Sequence, residues 1–176
     1  MINKRRAFIV GIKGTKLSNR EILFLKTYKP WGIILFSRNI KTISQTQKLT
    51  ELIKKIFHDK HYPIIIDEEG GKVTRLKKFI DNSIFTADYF GKLFTKNKKK
   101  FNIYFDVYIK QIANLLNILG ININSVPVLD VRRKITNKII GNRSYSSNAN
   151  VVSKLGEYCI SSFHNQRIAT IIKHIP

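Results

Sequence analysis

Short apolar runs alternate with longer amphipathic stretches along the chain. Residues 7–12, 31–36, 63–66, 121–129 and 168–175 are mostly apolar and of strand length. After the first run, Ser18 is followed three residues later by Glu21, a spacing that predicts a capped helix to about Tyr28. Lys29-Pro30 ends that helix. In residues 43–57, Ile43, Leu49, Leu52, Ile53 and Ile56 mark the apolar face of a second helix. Residues 98–119 predict a long helix stopped by Gly120, and residues 148–165 predict another. The stretch from Asp67 to about Phe94 reads as irregular. Its Gly70-Gly71 pair suits a turn with unusual backbone angles.

The resulting order, β-α-β-α-β-α-β-α-β, is that of an α/β protein with a parallel sheet covered on both faces. Two architectures fit: an open doubly wound sheet, or the first part of a (β/α)8 TIM barrel. Five strands in 176 residues match the length per unit of a barrel, which takes about 250 residues when complete.

Composition adds a strong charge. The 32 Lys and Arg against 11 Asp and Glu give a net +21, which attracts polyanions and brings nucleic acid into view. The lysines, however, are scattered through every segment, which argues against a nucleic-acid stripe. The dense run around Lys98-Lys99-Lys100 reads either as a solvated helix start or as a polyanion contact. A single cysteine, Cys159, rules out an internal disulfide and sits in an apolar helical pattern. The basic start is followed by too short an apolar stretch for a signal peptide, and no run approaches the roughly 20 apolar residues of a membrane helix. A soluble, cytoplasmic protein is the expectation.

In parallel α/β folds, working residues gather at the C-terminal ends of strands. Here those ends carry Ser37-Arg38-Asn39, then Asp67-Glu68-Glu69-Gly70-Gly71, then Asp130, then Lys173-His174. The second is the richest, with three carboxylates, a tight turn, and cations at Lys72 and Arg75. Carboxylates and guanidinium forks suit the hydroxyls and amides of a sugar. The same pattern also fits acids in the first turn of a helix. Adjacent residues of an extended chain point to opposite faces, so Glu68 and Glu69 do not make a catalytic pair. His58 and His61 flank a turn, and His164 lies late on a helix. No metal-ligand spacing and no dinucleotide fingerprint is present, so no cofactor is expected. Phe101, Tyr104, Phe105 and Tyr108 recur at helical spacing and read as core.

Several of these segments together resemble glycoside hydrolase family 3 β-N-acetylglucosaminidases of the peptidoglycan-recycling type. Residues 67–75 are similar to that family's Asp-x-Glu-Gly-Gly-x-Val-x-Arg signature. Trp31-Gly32-Ile33-Ile34-Leu35-Phe36-Ser37-Arg38-Asn39 resembles its second strand and loop. Pro127-Val128-Leu129-Asp130-Val131 is similar to its fourth strand end, and Ile140-Gly141-Asn142-Arg143-Ser144-Tyr145 to its Ile-Gly-Asp-Arg-Ser-Phe element. Lys173-His174-Ile175-Pro176 resembles the start of its Lys-His-Phe-Pro-Gly-His-Gly stretch.

The resemblance implies the barrel, with about the first five β/α units in one domain over residues 1–176. It implies retaining hydrolysis of terminal N-acetyl-β-D-glucosamine, and a GlcNAc-containing saccharide such as a muropeptide fragment as the bound partner. Asp67, Arg75, Arg143, Lys173 and His174 are implied as sugar-binding residues. The family's acid/base His and nucleophilic Asp are expected beyond Pro176, so none of the catalytic residues falls within the chain and these residues alone are expected to be inactive. Asn142 stands where the family has Asp, Lys72 where Arg is usual, and the Lys/Arg-rich segment between Asp130 and Gly141 departs from the pattern. Two alternatives stay open: a basic α/β domain that binds nucleic acid or another polyanion, and a half-barrel that works only with a partner.

Overall fold

A computed structural model describes residues 5–133 and 139–174. Its elements run β1 (Arg6–Gly11), α1 (Asn19–Tyr28), β2 (Pro30–Leu35), α2 (Ile43–Ile56), β3 (Ile64–Ile66), α3 (Ala87–Lys96), α4 (Lys98–Ile118), β4 (Ile123–Asn124), α5 (Ala149–Asn165) and β5 (Ala169–Thr170). The strands form one sheet in the order β1-β2-β3-β4-β5, and every pair is parallel. Each strand therefore lies beside its predecessor, with helices between them, as in the first five units of a (β/α)8 barrel.

Caps fix the helix starts. Ser18 and Glu21 form the reciprocal capping box on α1, and Thr42, Thr86 and Asn97 each accept a backbone N–H at the starts of α2, α3 and α4. Lys29 ends α1 in the left-handed region at φ 47°. The three isoleucines of β3 are buried, at 0–1% exposure, because the strand is covered on both sides. The core joins Ile64 and Ile66 to Leu25, Ile33, Leu35, Leu49, Ile53, Ile109 and Ile112.

Three elements differ from the sequence reading. The stretch taken as irregular to Phe94 contains α3. Gly91 in its middle disguises it, yet a Cβ there would lie 1.8 Å from the carbonyl oxygen of Tyr145, so only glycine permits this close approach. The fourth strand is reduced to Ile123–Asn124 within the expected 121–129, because Val126 N turns back to Asn124 O and the pairing resumes only as an isolated bridge between Val128 and Lys173. The fifth is Ala169–Thr170, although backbone bonds from Ile171 N to Asn124 O and from Lys173 N to Pro127 O carry the pairing onward. Ile175 and Pro176, the last residues of that expected strand and of the Lys-His motif, lie outside the described residues.

Phe101 and Phe105 are buried core residues and Tyr108 is 8% exposed, whereas Tyr104 faces solvent at 47%. Cys159 is a buried free thiol, pushed up to about 12 by burial. No helix among the described residues is long and apolar enough to cross a membrane.

Candidate functional site at the strand ends

Two asparagines, the half-buried Asn122 and the fully buried Asn124, set the scaffold beneath the site. Asn122 accepts the Ile64 N–H and donates to the carbonyls of His61 and Tyr62, joining β4 to the start of β3. Asn124 brackets Glu68, accepting its N–H at 3.0 Å and donating to its carbonyl at 3.0 Å. The chain leaving β3 is thus held just where the acids begin.

The neighbouring acids then diverge, as alternation requires. Glu68 turns inward and is 1% exposed. Its carboxylate accepts from Thr74 Oγ1 (2.7 Å), Arg75 N (2.7 Å), Leu76 N (3.0 Å) and Asn82 Nδ2 (3.2 Å). Burial pushes its pKa up, and these hydrogen bonds only partly oppose the shift. Glu68 is thus the internal anchor of the loop that carries Arg75. Gly70 and Gly71, at φ 82° and 62°, make the turn between them.

Asp67 and Glu69 face the other way, into a chain of contacts. Lys173 Nζ lies 2.8 Å from Asp67 Oδ1, 2.7 Å from Glu69 Oε1 and 3.3 Å from Ser125 Oγ. Arg143 grips Glu69 with both arms, Nε to Oε2 at 2.8 Å and Nη2 to Oε1 at 2.9 Å. Its Nη2 is also 3.4 Å from His174 Nε2, and His174 Nδ1 is 2.8 Å from Asp130 Oδ2. A guanidinium has no acceptor, so the consistent assignment has Nε2 accepting from Arg143 while Nδ1–H donates to Asp130. Arg75 Nη2 stands 3.8 Å from Asp67 Oδ2, and its guanidinium carbon lies 5.7 Å from the centre of the Phe36 ring.

Burial pushes the Asp67 carboxyl up, but the hydrogen bond and charge of Lys173, helped by Ser125 and Arg75, hold it below its ordinary value. The bidentate pair with Glu69 raises Arg143 further against the opposing effect of burial.

All five residues proposed from the sequence, Asp67, Arg75, Arg143, Lys173 and His174, lie within this one network. Two other members, Glu69 and Asp130, received no site role from the sequence. Asp130 stands in a quoted strand-end motif, and Glu69 is the Glu of the Asp-x-Glu-Gly-Gly signature. Position at a strand end was the available signal for both. Ser125 carries no such signal, since nothing marks it before the β4 end is known. Among the described residues, no group of three or more His, Cys, Asp or Glu could hold a metal ion.

The geometry suits a ligand rich in hydroxyls. Charged donors and acceptors alternate along the network, and a hydroxyl can bridge one of each. The chain as a whole is similar to known proteins. Residues 7–176 match the glycosyl hydrolase family 3 N-terminal domain. The chain is 32% identical over 168 residues to a beta-hexosaminidase of Hydrogenovibrio crunogenus, covering 96% of this chain and 46% of that protein. It is 31% identical over 161 residues to beta-hexosaminidase A of Pseudoalteromonas piscicida, covering 86% of this chain and 26% of that one. The chain thus spans half or less of these relatives. NagZ from Neisseria gonorrhoeae, solved in complex with N-trifluoroacetyl-D-glucosamine, superposes with a TM-score of 0.86 at 27% identity, over 98% of this chain and 50% of that one. A family 3 beta-N-acetylglucosaminidase from Paenibacillus superposes with a TM-score of 0.82 at 28% identity, over 96% of this chain and 31% of that one.

Proposed function

The chain belongs to glycosyl hydrolase family 3, and from that membership we propose that its strand-end network binds the terminal N-acetyl-β-D-glucosamine of a saccharide hydrolysed with retention. The observation that carries this reading is the linked set Arg75–Asp67–Lys173–Glu69–Arg143–His174–Asp130. Asp67, Arg75, Arg143, Lys173 and His174 are the sugar-contacting groups in this proposal. An uncharged sugar is held by several charged hydrogen bonds at once, and the planar guanidinium forks orient it.

The covalent step requires a nucleophilic carboxylate and a proton donor on opposite sides of the anomeric carbon. We assign both to groups outside residues 1–176, because the carboxylates of the network are engaged in pairing the site's cations. His174 is committed to Asp130 and Arg143 and acts in binding. The saccharide class is GlcNAc-bearing wall material such as a muropeptide fragment, and the compartment is the cytoplasm.

Two measurements test the proposal. In 19F NMR, N-trifluoroacetyl-D-glucosamine should broaden in the presence of the folded chain and sharpen when N-acetylglucosamine competes. No broadening by a folded sample would remove the sugar-site reading. Residues 1–176 should not turn over a chromogenic β-GlcNAc glycoside, and genuine turnover would overturn the assignment of the reacting groups elsewhere.

The net charge of +21 favours a second reading, a polyanion-binding domain. Retention on DNA-cellulose that falls steeply with salt near about 0.15 M, with no response to the fluorinated sugar, would support it instead.

A further inference from the structure

Basic residues outnumber acidic ones by 32 to 11 across the chain, yet the strand-end site is balanced. Three carboxylates, Asp67, Glu69 and Asp130, are joined by contacts to three permanent cations, Arg75, Lys173 and Arg143. The site thus holds three of the eleven acids in a chain that has few to spare. Glu69 does most of the matching. Its two oxygens take both arms of Arg143 and the ammonium of Lys173, and its side chain is only 6% exposed, with Arg143 at 14% and Lys173 at 13%.

Arg and Lys are the side chains that grip phosphates and carboxylates, Arg by closing its fork on two oxygens. In this protein the Nε–Nη2 arms of that fork are already closed on Glu69. A ligand oxyanion reaching Arg143 or Lys173 would have to displace a nearly buried carboxylate or sit beside it, where like charges repel strongly at low local dielectric. A hydroxyl meets no such obstacle, since it accepts from a cation and donates to a carboxylate at once.

We infer that Glu69 is a specificity-determining residue: by neutralising Arg143 and Lys173 it reserves the site for an uncharged terminal sugar and excludes a terminal sugar that itself carries a phosphate or carboxylate. This rests on the sugar-binding reading above. The same charge match also makes Glu69 the residue that positions both cations for the sugar.

The test compares wild type, Glu69→Gln and Glu69→Asp at constant ionic strength, by calorimetric titration with inorganic phosphate and N-acetylglucosamine 6-phosphate and by 19F NMR with N-trifluoroacetyl-D-glucosamine. Glu69→Gln should bind both phosphates at least about tenfold more tightly than wild type while losing the fluorinated sugar. Glu69→Asp should restore the wild-type preference. Loss of the neutral sugar with no gain of phosphate would overturn the inference and leave Glu69 a purely structural group. If wild type ignores the fluorinated sugar, the sugar-binding reading fails, but the gain of inorganic phosphate by Glu69→Gln still reports on Glu69 itself. Should Glu69→Gln not fold, the double variant Glu69→Gln/Arg143→Gln decides, because it restores the balance of charge. It should melt like wild type and refuse phosphate, and its failure to fold would overturn the inference by making Glu69 a requirement of the fold.

Discussion

Lys173 Nζ lies 2.8 Å from Asp67 Oδ1, closing a contact between residues 106 apart in the chain. The ends of β3 and β5 are tied at that point with β4 lying between them, and Ser125, just past β4, touches the same ammonium. Asp67→Ala removes the acceptor on which Lys173 and Arg75 both converge. Losing a charge-assisted hydrogen bond to a sugar hydroxyl costs about 2–3 kcal/mol, or roughly 30- to 150-fold in affinity. The variant should therefore no longer broaden the fluorinated sugar's signal, while far-UV circular dichroism stays at wild type. Undiminished binding would remove Asp67 from the site.

Half-buried Asp67 and buried Glu68 predict opposite responses to pH. The Asp67 carboxyl is held below its ordinary 3.8. Its contribution to stability is therefore complete above 3.8 and is lost as pH falls through the lowered folded value. Burial raises Glu68 above its ordinary 4.5. Below 4.5 it costs nothing, but as pH rises from 4.5 through the raised value the unfolded chain ionises first and stability drains away. Melting temperature against pH should have a shallower acid limb in Asp67→Asn, since Glu21, Asp59, Asp81 and Asp88 share it, and a smaller decline above 4.5 in Glu68→Gln. Unchanged profiles in both variants would contradict these assignments.

Gly91→Ala should be severely destabilising. A Cβ there would sit 1.8 Å from Tyr145 O and 2.8 Å from Tyr145 C, both main-chain atoms that cannot step aside cheaply. Overpacking of this kind costs about 1–3 kcal/mol or more. Tyr145 is two residues from Arg143, so the displacement also reaches the site. Denaturant unfolding measures the first effect and 19F broadening the second. A loss under about 0.5 kcal/mol would show that α3 can retreat.

Cys159 should resist alkylation in the native protein. It is 2% exposed and its thiol is pushed up to about 12 by burial, so the reactive thiolate is scarce as well as inaccessible. Labelling by iodoacetamide should follow unfolding with urea. Prompt stoichiometric labelling of the native chain would show that the interior of α5 opens readily.

Apolar periodicity located β1, β2, β3 and four of the five helices to within a residue or two, because each is an apolar run or stripe bounded by a recognisable stop. It missed α3, where Gly91 and a cluster of aromatics mimic a loop, and where the reason for the glycine lies across the structure at Tyr145. It overextended β4, because apolar character runs on through residues 125–129 while the backbone leaves the regular ladder after Asn124 and meets β5 again only at an isolated bridge between Val128 and Lys173. At the site, strand-end placement and motif resemblance singled out Asp67, Arg75, Arg143, Lys173 and His174. The partners that hold them were less visible. Alternation puts the adjacent Glu68 and Glu69 on opposite faces and the signature carries Glu69, but only the folded loop shows that Glu69 pairs the site's cations while Glu68 ties down backbone N–H groups. Asn122 and Asn124 carry no signature at all, since an asparagine that bridges two strands looks in sequence like one facing water.

The sheet order repeats the chain order, so each new strand finds its partner already in place beside it. During synthesis the sheet can grow one β/α unit at a time from the N-terminus, with no strand waiting for a distant mate. The strand-end network does not build up in the same gradual way. Lys173 and His174 arrive with β5, and until they emerge from the ribosome Asp67 and Glu69 lack the ammonium that joins them. A nascent chain stalled before residue 173 would have β1 to β4 in register and the charges at their ends still unmatched.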